Sequence, residues 1–390
     1  MTHSNKSSSR VATRLAFWVA GFGLSAWAPL VPYAKQRLQI DDRSLGLLLL
    51  CLGIGSVAAM VRTGPLCARY GCKPVILTGS LCMALLLPAL ALADSVWLMA
   101  MALVIFGGAL GSLDVAMNVH AVEVERNAGR PMMSGFHALF SVGGFSGAAL
   151  VTVMLSHSFA PSTATFVCSA MMVVAMALTT PRLLATATLH DGQSGTFMAL
   201  PRGPVVILSV LAAIAFLVEG ALLDWSALLL TNMGLSTPQL AGVGYAMFSV
   251  AMTAGRFGGD AITARFGDRA AVFWGGLVVL CGFICLLTLH SYEMAMVGFV
   301  LIGLGASNVV PVLFRQAGAQ SAMPTAMAIS AVTTIGYAGQ LMGPAVMGFI
   351  SKLAGLQAAF WMLAALMCLV PVFARTASSP KGVVTNPSAI

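Results

Sequence analysis

Three carboxylates and one histidine stand inside runs of apolar residues. Asp114 falls in the run near 97–119, His137 in the run near 132–156, and Glu219 and Asp224 in the run near 204–231. An ionisable group at membrane depth costs about 2.5–3.5 kcal/mol by the lower estimates, so it marks a functional site by default. Low dielectric disfavours the ionised acid, which suits such a carboxylate to take up and release a proton. Asp114 sits in Gly111-Ser112-Leu113-Asp114-Val115-Ala116-Met117-Asn118, just after Gly107 and Gly108. These small residues let a neighbouring backbone come close to the acid. Glu219 and Asp224 are five residues apart, so on a helix they point about 140° apart and cannot share one narrow face. Asp114, Glu219, Asp224 and His137 are the expected proton- and substrate-coupling groups.

A small-molecule pocket needs a few orienting polar or aromatic groups in apolar walls. Asn118, Trp27, Trp225, Tyr245, Asn308, Tyr337 and Gln340 have that character and are the expected substrate-binding set. Trp225 also reads as an interfacial anchor. His120, beside Glu123 and Glu125, is expected to face a loop.

Other chemistries find little support. No nucleophile–base pair is suggested, so an enzyme is not expected. Gly107-Gly108-x-x-Gly111 and Gly255-x-x-Gly258-Gly259 lack the Lys-Ser/Thr of a phosphate loop and follow no strand, so no nucleotide is expected. Cys67 and Cys72 share a basic loop without a histidine or second cysteine pair, so neither a metal nor any other cofactor is expected.

The elements that must position these groups follow from composition. Of 390 residues 59% are hydrophobic and only 8% charged, against about 25% charged in soluble domains. Runs of about 20 apolar residues recur along the chain and predict membrane helices. Twelve spans are expected near 11–34, 44–63, 74–93, 97–119, 132–156, 162–180, 204–231, 238–258, 270–289, 293–315, 324–351 and 356–374. The net charge of +8 resides in short loops, which favours a bilayer over nucleic acid as partner. Only Lys35, Arg37, Arg43 and Lys352 of the twenty lysines and arginines lie on one side, which predicts both termini in the cytoplasm of a bacterial inner membrane. Arg62, Arg256 and Arg315 are expected to snorkel from span ends. With no arginine at mid-membrane, neutral or cationic cargo is favoured.

The polar stretch 181–203 divides the chain into bundles at 11–180 and 204–374, with a disordered 1–10 and a tail at 375–390. The loop Ala68-Arg69-Tyr70-Gly71-Cys72-Lys73 recurs 196 residues on as Ala264-Arg265-Phe266-Gly267-Asp268-Arg269. Two parallel six-helix halves predict a transporter with its substrate site at the midplane.

These residues resemble the major facilitator superfamily. Its loop between helices 2 and 3 is matched by Gly64, Arg69, Gly71 and Lys73, with Ala68 where an aspartate is usual. The second copy keeps Arg265, Gly267 and Arg269, with Arg256 and Asp260 ahead of them. The resemblance implies a gating loop that latches the cytoplasmic side of the outward-open state, and a monomer. The Asp114 octapeptide resembles helix 4 of the fucose permease group, where Gly-x-Leu-Glu-x-Ala-x-Asn supplies a carboxylate for proton-coupled sugar uptake. Asp114 falls on that glutamate and Asn118 on that asparagine, while residues 11–34 hold no counterpart of the group's helix 1 acid. Glu219-Gly220, Asp224-Trp225 and Gly255-Arg256-Phe257-Gly258-Gly259 resemble an uncharacterised bacterial branch near it. The expected function is proton-coupled uptake of a sugar-like or small polar solute. Proton-driven efflux of a drug or metabolite, and a solute sensor without net flux, are the alternatives.

Overall fold

A computed structural model describes residues 3–184, 200–237 and 242–375. Most of the expected central loop, the start of the expected span at 238 and nearly all of the tail therefore lie outside the described residues. Among those described, ten helices are long and apolar enough to cross a membrane. One of them, Val243–Thr288, is two helices meeting at Gly267, and the 30-residue helix Thr325–Ala354 completes twelve.

In chain order the helices are α1 His3–Trp27, prolonged through Val31–Leu38, α2 Asp42–Tyr70, α3 Cys72–Leu92, α4 Val96–Ala128, α5 Met133–Ser156 and α6 Pro161–Thr179. The second half holds α7 Pro204–Asn232, α8 (243–266), α9 (268–288), α10 Tyr292–Ala306, prolonged through Val309–Ala319, α11 Thr325–Ala354, and α12 Leu356–Met367, prolonged through Leu369–Val372. Helix α1 starts at His3, whereas 1–10 was expected to lack order. Ser9 is buried, and its carbonyl accepts from the Thr13 hydroxyl at 2.8 Å within the helix, while Thr13 meets His120 of α4.

The two halves repeat one another in backbone detail. Gly71 joins α2 to α3 at φ 81°, ψ 164°, and Gly267 joins α8 to α9 at φ 83°, ψ 163°. Only glycine takes that conformation without strain, so both turns need no linker beyond one residue. Ser95 caps α4 by accepting from Leu98 N at 3.3 Å, and Ser291 caps α10 by accepting from Met294 N at 3.2 Å. A Cβ on Gly107 would lie 1.9 Å from the Leu52 carbonyl oxygen, and one on Gly303 2.3 Å from that of Phe248. Each of these pairs is separated by the same 196 residues. Bare glycines thus set the spacing of α2 against α4 and of α8 against α10, and hold Asp114 close to the seam between the halves.

Across the seam α2 packs on α11 and α5 on α8. The contacts run from the basic end, which carries the N-terminus and the two glycine turns, to about mid-helix. There a Cβ on Gly53 would lie 2.3 Å from Leu341 Cδ2.

Candidate functional site

A polar cluster occupies the middle of the seam. Arg256 Nη2 on α8 stands 3.9 Å from Glu219 Oε2 on α7, the two side chains being 8% and 30% exposed. Arg256 Nη1 donates to Ser141 Oγ on α5 at 2.8 Å, across the seam. Arg256 Nε is buried and has no protein partner. The expectation that Arg256 snorkels from a span end, as part of the gating loop, is therefore corrected. It lies about halfway between Val243 and Gly267 and turns inward, because an acid and a hydroxyl face it at its own level.

Asp114 is 6% exposed on α4. Asn118, one turn on, donates from Nδ2 to the Asp114 carbonyl at 2.9 Å and keeps Oδ1 buried without a partner. Tyr337 on α11 packs against Phe216, with ring centroids 5.5 Å apart, and its hydroxyl lies within electrostatic reach of both Asp114 and Glu219. Tyr245 on α8 lies within reach of Glu219, Arg256 and Asp224. Gln340 lies against Gly220, next to Glu219. His137 stacks on Phe314 of the other half, centroids 5.7 Å apart, and meets Phe17 edge-on at 5.2 Å. Its Nε2 is buried without a partner, and Arg256 is within its electrostatic reach. Asp114, His137, Glu219, Tyr245, Tyr337 and Gln340 thus come from five helices to one region.

Four expected residues lie elsewhere or serve packing. Asp224 is exposed, five residues beyond Glu219 on α7, and only Tyr245 of the cluster lies within its electrostatic reach. Trp225 is half-buried and packs its ring against Gly348 of α11, with Cη2 3.7 Å from where a Cβ would stand and its indole nitrogen without a partner. Trp27 is 4% exposed at the end of α1, with its indole nitrogen unpartnered. Asn308 stands just before the second part of α10, where Pro311 cannot donate to the Ser307 carbonyl and the helix breaks, and its Oδ1 is buried without a partner. Its amide donates to Gly255 O at 3.2 Å, which fastens α10 to α8.

His120 meets the stretch beyond α6 and is buried there. It is 1% exposed, and its Nε2 accepts from Leu184 N at 3.0 Å. Nδ1 therefore carries the hydrogen and donates to Thr13 Oγ1 at 3.1 Å.

The basic end is closed by charge. Arg315 on α10 bonds to Glu125 of α4 and to Asp268, and stands 3.9 Å from Asp260. Glu125 Oε2 also accepts from Met132 N and Met133 N, at 2.6 and 2.7 Å. Asp260 accepts from Ser134 N at 3.0 Å and Gly135 N at 2.9 Å. Two carboxylates, one from each half, thus share the positive N-terminus of α5. Arg126 Nη2 donates to Gly318 O across the seam at 2.8 Å. Gly64 meets α11 directly: a Cβ there would lie 2.6 Å from Ser330 Cβ. Arg69 and Arg265 are exposed and lie over the rings of Tyr70 and Phe266, at 5.2 and 5.4 Å, while Arg269 is exposed and Lys73 half-buried. Arg315 is held in this network with its side chain 13% exposed and does not snorkel.

A family model described as Major Facilitator Superfamily matches residues 14–317 and again 237–389. The chain belongs to this superfamily. It is 47% identical to an uncharacterised MFS-type transporter of Yersinia pestis, over 94% of this chain and 95% of that one. Its fold is similar to that of FucP, an MFS transporter in the outward conformation, with a TM-score of 0.80, 18% identity and coverage of 95% and 99%. The proton:xylose symporter XylE gives a TM-score of 0.76 at 11% identity, with 96% of each chain covered. The protein is thus a multi-pass MFS transporter.

Within this MFS framework, Ser141 and the Glu125–Arg315 pair are the residues that sequence reasoning missed. Ser141 lies one turn beyond His137, so their shared face was a usable signal. For Glu125 and Arg315 no signal connects the ends of α4 and α10, because only the closed seam brings them together.

Proposed function

We propose that this chain is a secondary transporter that takes up a sugar-like or other small polar solute together with protons, by alternating access across the bacterial inner membrane. Both termini then lie in the cytoplasm, and the seam, closed at its basic end, corresponds to an outward-facing state. The observation that carries this reading is the placement of Asp114. Asp114 is a buried carboxylate on α4 of one half, and α4 meets α11 of the other half, whose Gln340 lies against Gly220 beside Glu219. A solute bound there touches both halves, and rocking exposes it to either side in turn. A proton on Asp114 removes the cost of carrying a bare charge through that movement.

The test uses proteoliposomes with an imposed inward proton gradient. The wild type accumulates solute against its gradient. Asp114→Asn, which imitates the protonated acid, retains solute exchange but loses gradient-driven accumulation. Accumulation by Asp114→Asn at the wild-type level would refute the assignment.

A further inference from the structure

We propose that Arg256 binds a carboxylate on a hydroxylated cargo, so that the transported class is a sugar acid or similar organic monoanion. This rests on the transport function proposed above and names the chemistry of its substrate.

The guanidinium is poised but not saturated. It has five N–H donors in a planar fork. Ser141 takes one from Nη1, the approach of Nη2 to Glu219 is 3.9 Å and too long for a hydrogen bond, and Nε is buried with no acceptor. A buried donor left without an acceptor is costly, and a planar carboxylate fits Nε and the neighbouring Nη2 at once. Glu219 leaves room for the exchange, since its side chain is 30% exposed while the arginine is nearly covered.

The neighbours fit the rest of such a molecule. Tyr245 lies within reach of Arg256 and Glu219, and Tyr337 within reach of Glu219 and Asp114. These groups recognise hydroxyls and offer no second cation. A phosphate ester, which carries close to two charges, would leave one of them unmatched.

Charge counting supplies a readout. With Asp114 ionised, Asp114, Glu219 and Arg256 carry one net negative charge, and a monoanion that enters together with a proton on Asp114 leaves that charge unchanged. One anion moving with one proton transfers no net charge, whereas a neutral sugar moving with one proton transfers one.

The experiment compares cargo pairs that differ in the carboxylate: gluconate with sorbitol, and galacturonate with galactose. Thermal stability of the purified full-length protein reads binding, because a ligand held only by the folded state raises it. The carboxylate members are expected to stabilise and the neutral members not to. Arg256→Gln weakens the apparent affinity by about tenfold or more, the scale of one lost charged contact, and Arg256→Lys keeps part of it. Arg256→Gln also strands Glu219, so Glu219→Gln and the double variant Arg256→Gln/Glu219→Gln are compared as well. The shift persists in the first and is lost in the second. In proteoliposomes, uptake of the stabilising anion follows the pH gradient and ignores a clamped membrane potential. A neutral member that binds as tightly, or an anion shift that survives in the double variant, overturns the assignment and leaves the transport function standing. A panel in which no member binds or crosses overturns both.

Discussion

Asp260 meets the Ser134 amide at 3.0 Å, and the residues 196 positions away from each, Gly64 and Ser330, also meet across the seam. The two seams are therefore built alike and fastened differently. On one side a carboxylate accepts from a helix N-terminus. On the other, a bare glycine lies against a helix interior. A carboxylate at a partly buried helix N-terminus is worth up to about 2 kcal/mol. Asp260→Asn keeps the size of the side chain and removes the charge. It is expected to shift the equilibrium away from closure at the basic end by about tenfold, which corresponds to 1.4 kcal/mol. Distance measurements between spin labels on the basic ends of α5 and α8 read this directly. An unchanged distance distribution would show that the contact does not hold the state.

Arg315 is the hub of the same closure, and its loss is expected to cost more than the loss of any one partner. Glu125, Asp268 and Asp260 all face it, so Arg315→Gln leaves several carboxylates near one another without a cation. Breaking a buried ion pair from one side costs about 3–5 kcal/mol. Glu125→Gln leaves Arg315 paired with Asp268 and costs less. Thermal unfolding in detergent should rank Arg315→Gln below Glu125→Gln. The opposite order would mean that the capping of Met132 and Met133 by Glu125 matters more than the ion pair.

Much of this was legible before any coordinates, for identifiable reasons. Span positions follow from local hydropathy, and Gly71 and Gly267 mark the two short turns because the backbone there needs a positive φ. Asp114 and Glu219 stand out because acids are rare in apolar runs. The direction of Arg256 was not legible, since a long side chain on a span can turn toward water or inward. Its partner Ser141 belongs to the other half of the molecule. Asn308 looked like a lining residue because its type says nothing of the helix break around it, which comes from Pro311.

His120 gives a stability prediction with a clear sign. Its ring nitrogens bridge Thr13 of α1 and Leu184 beyond α6, in one tautomer. The Thr13 hydroxyl passes its own hydrogen to Ser9 O at 2.8 Å, so the chain of donors runs one way. His120→Phe fills the space and leaves the buried Leu184 N–H without an acceptor, at a cost of about 1–3 kcal/mol. Thr13→Ser keeps the hydroxyl and both of its bonds and should cost less. Equal losses in thermal stability would contradict this order.

The asymmetry of the two seams makes a last prediction. An aspartate at 64 does not supply the latch that Asp260 supplies on the other side, because the amides differ. Helix α5 begins at Met133, so the Ser134 and Gly135 amides have no intrahelical acceptor and are free for Asp260. Helix α11 begins at Thr325, so the Ser330 amide lies beyond its first turn and is committed within the helix. Space differs as well, since a Cβ at 64 would stand 2.6 Å from Ser330 Cβ and 2.9 Å from the Ala326 carbonyl oxygen. Gly64→Asp should therefore act as a wedge and open the basic end, in the same direction as Asp260→Asn. Halves that rock as rigid bodies have one equilibrium, so the two variants should add in free energy. Labels placed at either seam should then report both. A Gly64→Asp protein held more firmly closed than the wild type would show that α11 offers a free donor there after all.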